Sequence, residues 1–319
     1  MLVRLNILPA AVLLLFALAC GKNIETPEDT PGGDGEGFTL TVATCNVLKP
    51  EGRREEMSMA SQTVRQALGH SIVNTGADII GFNELDQTLL IGGIYSLSSA
   101  CKFTNMSWSI EWPNDIHENS SLSYSYANGF AYNNTKLKLE ESGYVWLSKE
   151  DDAWYIKPSS AYLNSGSPER TCIWARMTHK ASKRQFWLFV THLPTSSQGG
   201  SYNMAKVVNR YAAHKAGEAP AILLGDMNSA PGSATYRKLI SYWQDGNSET
   251  WGTLSGSSKN YYYTVDEFTR NRTDRRIDHI MTKGCTASDY RTVVETYMVD
   301  GQAWCPSDHL PVAATVEFE

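Results

Sequence analysis

Asp226 and Asn228 stand two residues apart, directly after the apolar run Ala221–Leu224 and Gly225. In an extended chain, residues at i and i+2 share a face, so a carboxylate and an amide would project together. A core has no use for that pair. A cleft can use the carboxylate to take a proton or polarise a water, and the amide to hold an oxyanion or orient the carboxylate. A Gly-Asp-x-Asn turn is also an ordinary way to begin a loop, so its weight depends on similar stretches elsewhere. Asn46, Glu84 and His192 each follow an apolar run, and a lone carboxylate such as Glu84 suits a hard divalent cation, which prefers oxygen ligands. In Arg275-Arg276-Ile277-Asp278-His279-Ile280, alternation puts Asp278 on the side of Ile280, partly buried and in need of a partner. Ser307-Asp308-His309 offers an acid and an imidazole in a loop, and an Asp278–His309 pair would fix one tautomer and raise the basicity of the ring.

The elements that deliver these residues are legible from hydrophobic period. Phe38–Val47 alternates as a strand with Phe38, Leu40 and Val42 on one face, and Asn46 closes it. Met57–Val73 has helical spacing (Met57, Ala60, Val64, Leu68, Ile72) and stops at Asn74-Thr75-Gly76. Ala77–Glu84, the region around Tyr126–Tyr132, Leu137–Trp146, Glu169–Met177 (entered from Arg170) and Gln185–Leu193, which delivers His192, read as strands. Tyr202–Lys215 is a predicted helix with Met204, Val207, Val208 and Tyr211 inward, and Ser233–Trp243 a second through Tyr236, Leu239 and Ile240. Val312, Ala314, Val316 and Phe318 mark a final strand that looks like a sheet edge, which would leave Asp308 and His309 exposed before it. Strands alternating with helices suggest a layered α/β fold. Among the aromatic residues, Trp108, Trp112, Trp146, Trp154, Tyr155 and Tyr162 are candidates for core or for the rim of a cleft.

Residues 1–20 read as a signal peptide, with Arg4, an apolar stretch from Ile7 to Ala19 and the lipobox-like Ala17-Leu18-Ala19-Cys20. Lipid on Cys20 would anchor an exported protein at a bacterial outer membrane or cell surface, and plain cleavage would leave it secreted or periplasmic. Residues 21–37, rich in Gly, Pro, Thr and acidic residues, read as a flexible tether, and 38–319 as one domain, expected to be a monomer. The formal net charge of −6 argues against broad nucleic-acid binding, although Arg53, Arg54, Arg275 and Arg276 could form a local basic rim. Cys45, Cys101, Cys172, Cys285 and Cys305 are an odd number for disulfide pairing, and no C-x-x-C spacing suggests zinc. Cys45, within a strand, reads as a small buried hydrophobe.

The blocks Thr44-Cys45-Asn46-Val47-Leu48, Asn83-Glu84, Thr191-His192-Leu193, Gly225-Asp226-Met227-Asn228, Arg276-Ile277-Asp278-His279-Ile280 and Ser307-Asp308-His309-Leu310-Pro311-Val312, in this order, resemble the endonuclease/exonuclease/phosphatase superfamily. That group includes DNase I-like nucleases, inositol polyphosphate 5-phosphatases and bacterial neutral sphingomyelinases. The resemblance implies an α/β four-layer αββα sandwich, two mixed β-sheets face to face flanked by helices, with a cleft at one end of the strands. It implies Mg2+, with Mn2+ or Ca2+ as substitutes, on Glu84 assisted by Asn46 and Asp308. Asp226 and Asn228 would handle the water and the phosphoryl oxygens, Asp278 would orient His309, His192 would be the second histidine, and Arg170 would contact phosphate. Asn83 stands where Gln is commoner, and His279 where an aromatic residue is commoner. The implied activity is hydrolysis of a phosphate ester, a phosphodiester before a monoester, on a phospholipid head group, a sugar or inositol phosphate, or nucleic acid. An extracellular nuclease and a binding module that kept the fold without turnover are the alternatives.

Overall fold

The computed structural model describes residues 36–49, 52, 53, 55–85, 108–111 (backbone course only), 128–147, 170–195, 200–247 and 276–319. Residues 1–20, read above as a signal peptide, most of 21–37, read as a tether, and Arg54, Cys101, Trp112, Trp154, Tyr155, Tyr162 and Arg275 lie outside them.

Two mixed sheets face each other. The first has β1 (Phe38–Asn46), β2 (Ile79–Asn83), β3 (Trp108–Glu111), β4 (Gly129–Asn133), β10 (Thr286–Thr292) and β13 (Val312–Phe318), in the order β10-β13-β1-β2-β4-β3. The second has β5 (Leu137–Trp146), β6 (Thr171–His179), β7 (Gln185–Thr191), β8 (Ala221–Asp226) and β9 (Asp278–Lys283), in that order. A small ribbon, β11 (Tyr297–Val299) with β12 (Gln302–Trp304), precedes the last strand. The helices are α1 (Gln62–Val73), α2 (Ser201–Ala216) and α3 (Ala234–Leu239).

Strand alternation builds the layers. Leu40, Val42, Ile79, Phe130, Val316 and Phe318 of the first sheet pack against Ile173, Phe186, Leu188, Val190, Ile222, Leu224 and Ile280 of the second. The intervening residues face outward: Leu68 and Ile72 of α1 join Ala43, Cys45, Ile80 and Phe82. Met204, Val208 and Tyr211 of α2 join Trp187, Phe189 and Leu223 on the other side. The result is the four-layer αββα sandwich.

Each sheet contains one parallel pair, β1 with β2 and β7 with β8. A parallel pair needs a crossover, and α1 and α2 lie in those two connections. Each pair therefore ends together, and the contact of Asn46 with Asp226 brings all four ends to the same edge of the sandwich. β13 runs antiparallel to β1, and β9 antiparallel to β8, so both begin at that edge. Among the described residues no helix is long and apolar enough to cross a membrane.

Several boundaries differ from the sequence reading. The helix predicted from Met57 starts at Gln62, because residues 55–57 form a 3-10 turn and the Arg65 guanidinium binds the carbonyls of Met59 (2.6 Å) and Ala60 (2.8 Å). The Ser233 hydroxyl caps α3 by accepting from Tyr236 N–H (3.1 Å), but the helix ends by Ile240, which is exposed rather than inward. β13 is not an edge: the polar strand β10 pairs outside it. Cys45, Cys172, Cys285 and Cys305 are buried free thiols, so no disulfide forms among the described cysteines. Burial pushes the Cys45 thiol well above its ordinary range.

Candidate active site

Asn46, at the end of β1, presents its amide nitrogen 3.3 Å from Glu84 Oε1 and 3.2 Å from Asp226 Oδ2, while its Oδ1 accepts from Leu48 N–H at 3.1 Å. Glu84 leaves β2 with φ 56°, a left-handed conformation uncommon for a non-glycine residue, and this turns its carboxylate back toward Asn46 and Lys49 N–H (2.9 Å). Strain of this kind persists where surrounding bonds over-determine it, as they do here.

Gly225 lets β8 reach the site. Its φ is 145°, and a Cβ there would lie 1.8 Å from the Thr191 carbonyl oxygen, so only glycine fits against the end of β7. The chain after Asp226 does not stay extended as the spacing suggests. Asn228 turns with φ 45°, and its N–H donates to Asp226 Oδ1 at 2.8 Å, an Asx turn. Asn228 still returns to the cleft, with its amide nitrogen 2.8 Å from Leu193 O and 3.0 Å from His192 Nε2.

His192 is buried between Arg170 and Asp226. Arg170 Nη1 lies 3.1 Å from His192 Nδ1, and a guanidinium can only donate, so Nδ1 accepts; Nε2 sits between the Asn228 amide nitrogen and Asp226 Oδ2 (3.3 Å). Burial and the Arg170 charge hold His192 below its ordinary pKa, against the pull of Asp226.

His309 is the opposite case. Its Nδ1 lies 2.8 Å from Asp278 Oδ2, as expected from the alternation of β9, and Nε2 looks toward Asp226 Oδ2 at 3.7 Å. Burial disfavours the imidazolium, but Asp278, Asp226 and Asp308 outweigh it and raise the group well above its ordinary 6.5. The side chain is 8% exposed, not open to solvent as its loop position suggested. The Ser307 hydroxyl locks that loop, donating to Asn46 O (2.8 Å) and accepting from His309 N–H (3.2 Å). Burial pushes the Asp308 carboxyl up to about 6; His309 opposes this, and the nearby Glu84 and Asp226 carboxylates add to it. Burial would also raise Asp226, but the imidazoles of His192 and His309 hold it below the usual carboxylate range.

This donor set suits a divalent cation. Asp226, Asp278 and His309 bring ligand atoms within 4.8 Å of one another. Glu84, Asp226 and Asp308 crowd negative charge into one bay, and the amide nitrogen of Asn46 faces two of those carboxylates where a positive charge would be favoured.

Three arrangements have little trace in the sequence. Asn83 is fully buried and joins the sheets: its Oδ1 accepts from Asp226 N–H (2.7 Å), and its Nδ2 donates to Asn128 Oδ1 (2.8 Å) and Thr191 O (3.1 Å). Arg53 is an internal brace, donating to the carbonyls of Val47, Leu48, Met57 and Pro306. Arg276 pairs with Asp245 at 2.7 Å. These two arginines are therefore part of the fold and not of a basic rim. The only hint was Asn83 beside Glu84.

A family model described as Endonuclease/Exonuclease/phosphatase family matches residues 43–309, most of the chain and all of the site. The chain belongs to this family. Similar solved structures include a family member from Bacteroides thetaiotaomicron (TM-score 0.68, 19% identity, 89% of this chain and 99% of the other). A mannosyl-6-phosphatase from the same organism aligns with TM-score 0.64 and 18% identity over 87% of this chain and 99% of the other. D. rerio TDP2 complexed with single-strand DNA product aligns with TM-score 0.57 and 16% identity over 87% and 98%. At these identities the likeness establishes the fold. No curated protein matches the chain. A clustered Asp/Asp/His site within this family's fold supports a metal-dependent phosphoesterase.

Proposed function

We propose that the protein hydrolyses a phosphodiester on a phospholipid head group or on a sugar or inositol phosphate, with Mg2+ (or Mn2+ or Ca2+) held by Glu84 and Asp308, and by Asn46 once its amide turns its oxygen, in place of its nitrogen, toward the ion. The observation that carries this reading is the convergence of Glu84, Asp226 and the Asp278–His309 pair on one bay. The bound ion would polarise the phosphate and neutralise its charge. Asp226, held ionised, orients the attacking water, and Asn228 fixes Asp226 through its backbone N–H. Water adds to phosphorus in line, the bond to the leaving oxygen breaks, and the water proton passes to solvent. His309, kept protonated by Asp278, stabilises the developing charge and gives its Nε2 proton to the leaving alkoxide. His192 holds Asp226 and Asn228 in place from behind, and Arg170 adds positive charge to the phosphate pocket.

A sugar-phosphate monoester is the second reading, favoured by the likeness to a mannosyl-6-phosphatase. Nucleic acid is disfavoured by the net charge of −6 and by the internal placement of Arg53 and Arg276. The protein would act as an exported monomer, lipid-anchored through Cys20. The test is turnover of residues 38–319, with Mg2+ and with EDTA, on bis(p-nitrophenyl) phosphate, p-nitrophenyl phosphate, mannose 6-phosphate, sphingomyelin and DNA. Mg2+-dependent cleavage led by a diester or lipid supports the first reading, and preference for mannose 6-phosphate the second. Failure on all of them with every divalent ion would favour a binding module.

A further inference from the structure

Behind the catalytic face of β9 lies a second buried polar cluster that the hydrolytic reading does not use. Strand alternation sends Asp278 into the cleft and His279 through the opposite face, toward α3. His279 is fully buried, with Nε2 2.9 Å from the Ser229 carbonyl oxygen and Nδ1 3.4 Å from Asp245 Oδ2. A carbonyl can only accept, so Nε2 is the donor. Asp245 also accepts from Arg276 (2.7 Å), the Tyr236 hydroxyl (2.8 Å) and Asn247 N–H (3.0 Å). The ring of Tyr236 lies 5.4 Å from that of His279.

Ser229 ends the turn that carries Asp226 and Asn228. That turn is tied to the strand leading into Asp278 by Met227 N–H to Ile277 O (2.8 Å) and by the His279 bond to Ser229. We propose that His279 is a positioning residue: one strand holds His309 from its front through Asp278 and the Asp226–Asn228 turn from its back through His279. Asp245, itself bound by Arg276, lies against the other side of the imidazole. A Phe ring at this position could fill the space but could not donate to Ser229. The proposal rests on the hydrolytic reading for its turnover readout alone.

Two substitutions separate the two nitrogens of the ring. Gln places its amide nitrogen three bonds from Cβ, where Nε2 stands, and Asn places one two bonds from Cβ, where Nδ1 stands. His279→Gln should keep the bond to Ser229 and hold kcat within about threefold. His279→Asn and His279→Phe should lower kcat by about 10- to 100-fold, as displacement of a reacting group does, with KM nearly constant. Amide hydrogen exchange of the 226–230 segment supplies a readout without substrate. It should quicken about three- to tenfold in the Asn and Phe variants, the loss expected for one hydrogen bond, and stay at the wild-type rate in Gln.

Tyr236→Phe removes a donor to Asp245 but leaves the Ser229 bond, and should keep both turnover and exchange near wild type. Gln behaving like Phe, Asn behaving like wild type, or Tyr236→Phe losing as much as His279→Phe would overturn the proposal. If His279→Phe does not fold, the Gln and Asn variants decide. If wild-type protein cleaves no ester, the hydrolytic reading fails, and the exchange rates still decide whether His279 holds the turn.

Discussion

Replacing Asp278 with Asn removes a charge while keeping shape and the capacity to accept from His309 Nδ1, now 2.8 Å from the carboxylate. A hydrogen bond to a charged group contributes about 1.5–3 kcal/mol. If that stabilisation is spent on holding an imidazolium in the transition state, kcat should fall by about 10- to 150-fold. Asp278 leads the groups that lift His309 above 6.5, and Asp226 and Asp308 remain in the variant. The alkaline limb of the kcat profile should therefore move to lower pH, toward 6.5, without vanishing. The same shift gives a stability effect with a definite sign. A raised folded-state pKa stabilises fully below the unfolded value near 6.5, and the benefit fades as pH rises through the folded value. The thermal midpoint gap between wild type and Asp278→Asn should be widest below pH 6.5 and close at alkaline pH. The assay is kcat against pH at saturating Mg2+ with parallel melting curves. An unshifted alkaline limb would refute a protonated role for His309.

Three other outcomes are expected. Glu84→Gln should fold normally, lose most turnover at low Mg2+ and recover only partly at high Mg2+; a wild-type Mg2+ titration would remove Glu84 from the ligand set. Asp308 is raised to about 6 in the fold, so ionising it costs stability as pH rises from 3.8 through 6. In EDTA at neutral pH, Asp308→Asn should melt a few degrees above wild type (about 1 kcal/mol moves a domain this large by a few degrees), and Mg2+ should reverse the order; melting curves with and without the ion decide it. Protein purified from its native host should carry lipid on Cys20, and mass spectrometry showing an unmodified cysteine or another cleavage site would contradict this.

The ends of the central strands were legible because each joins an apolar run to one polar residue that a core would not keep. Asn46, Glu84, His192 and Asp226 are of this kind, and the alternation around Asp278 foretold which face it takes. Asn83, Asn128 and Asp245 were illegible because a buried amide or acid carries no period, and their partners lie far away in sequence, such as Thr191 for Asn83. Arg53 reads as a surface charge until the carbonyls at the ends of β1 and before Ser307 close around it. β13 passed for an edge because its outer neighbour β10 is polar, Thr286-Ala287-Ser288-Asp289, and shows no strand-like apolar face. Likewise the exposure expected for His309 ignored the Ser307 bond that folds its loop onto β1.

The most direct measurement is anomalous diffraction from a crystal of the protein soaked in Mn2+. The expected result is a peak in the bay bounded by Glu84, Asn46, Asp308 and Asp226, within reach of His309. A peak elsewhere, or none at Mn2+ concentrations that support ester hydrolysis, would contradict a single metal-dependent site at these strand ends.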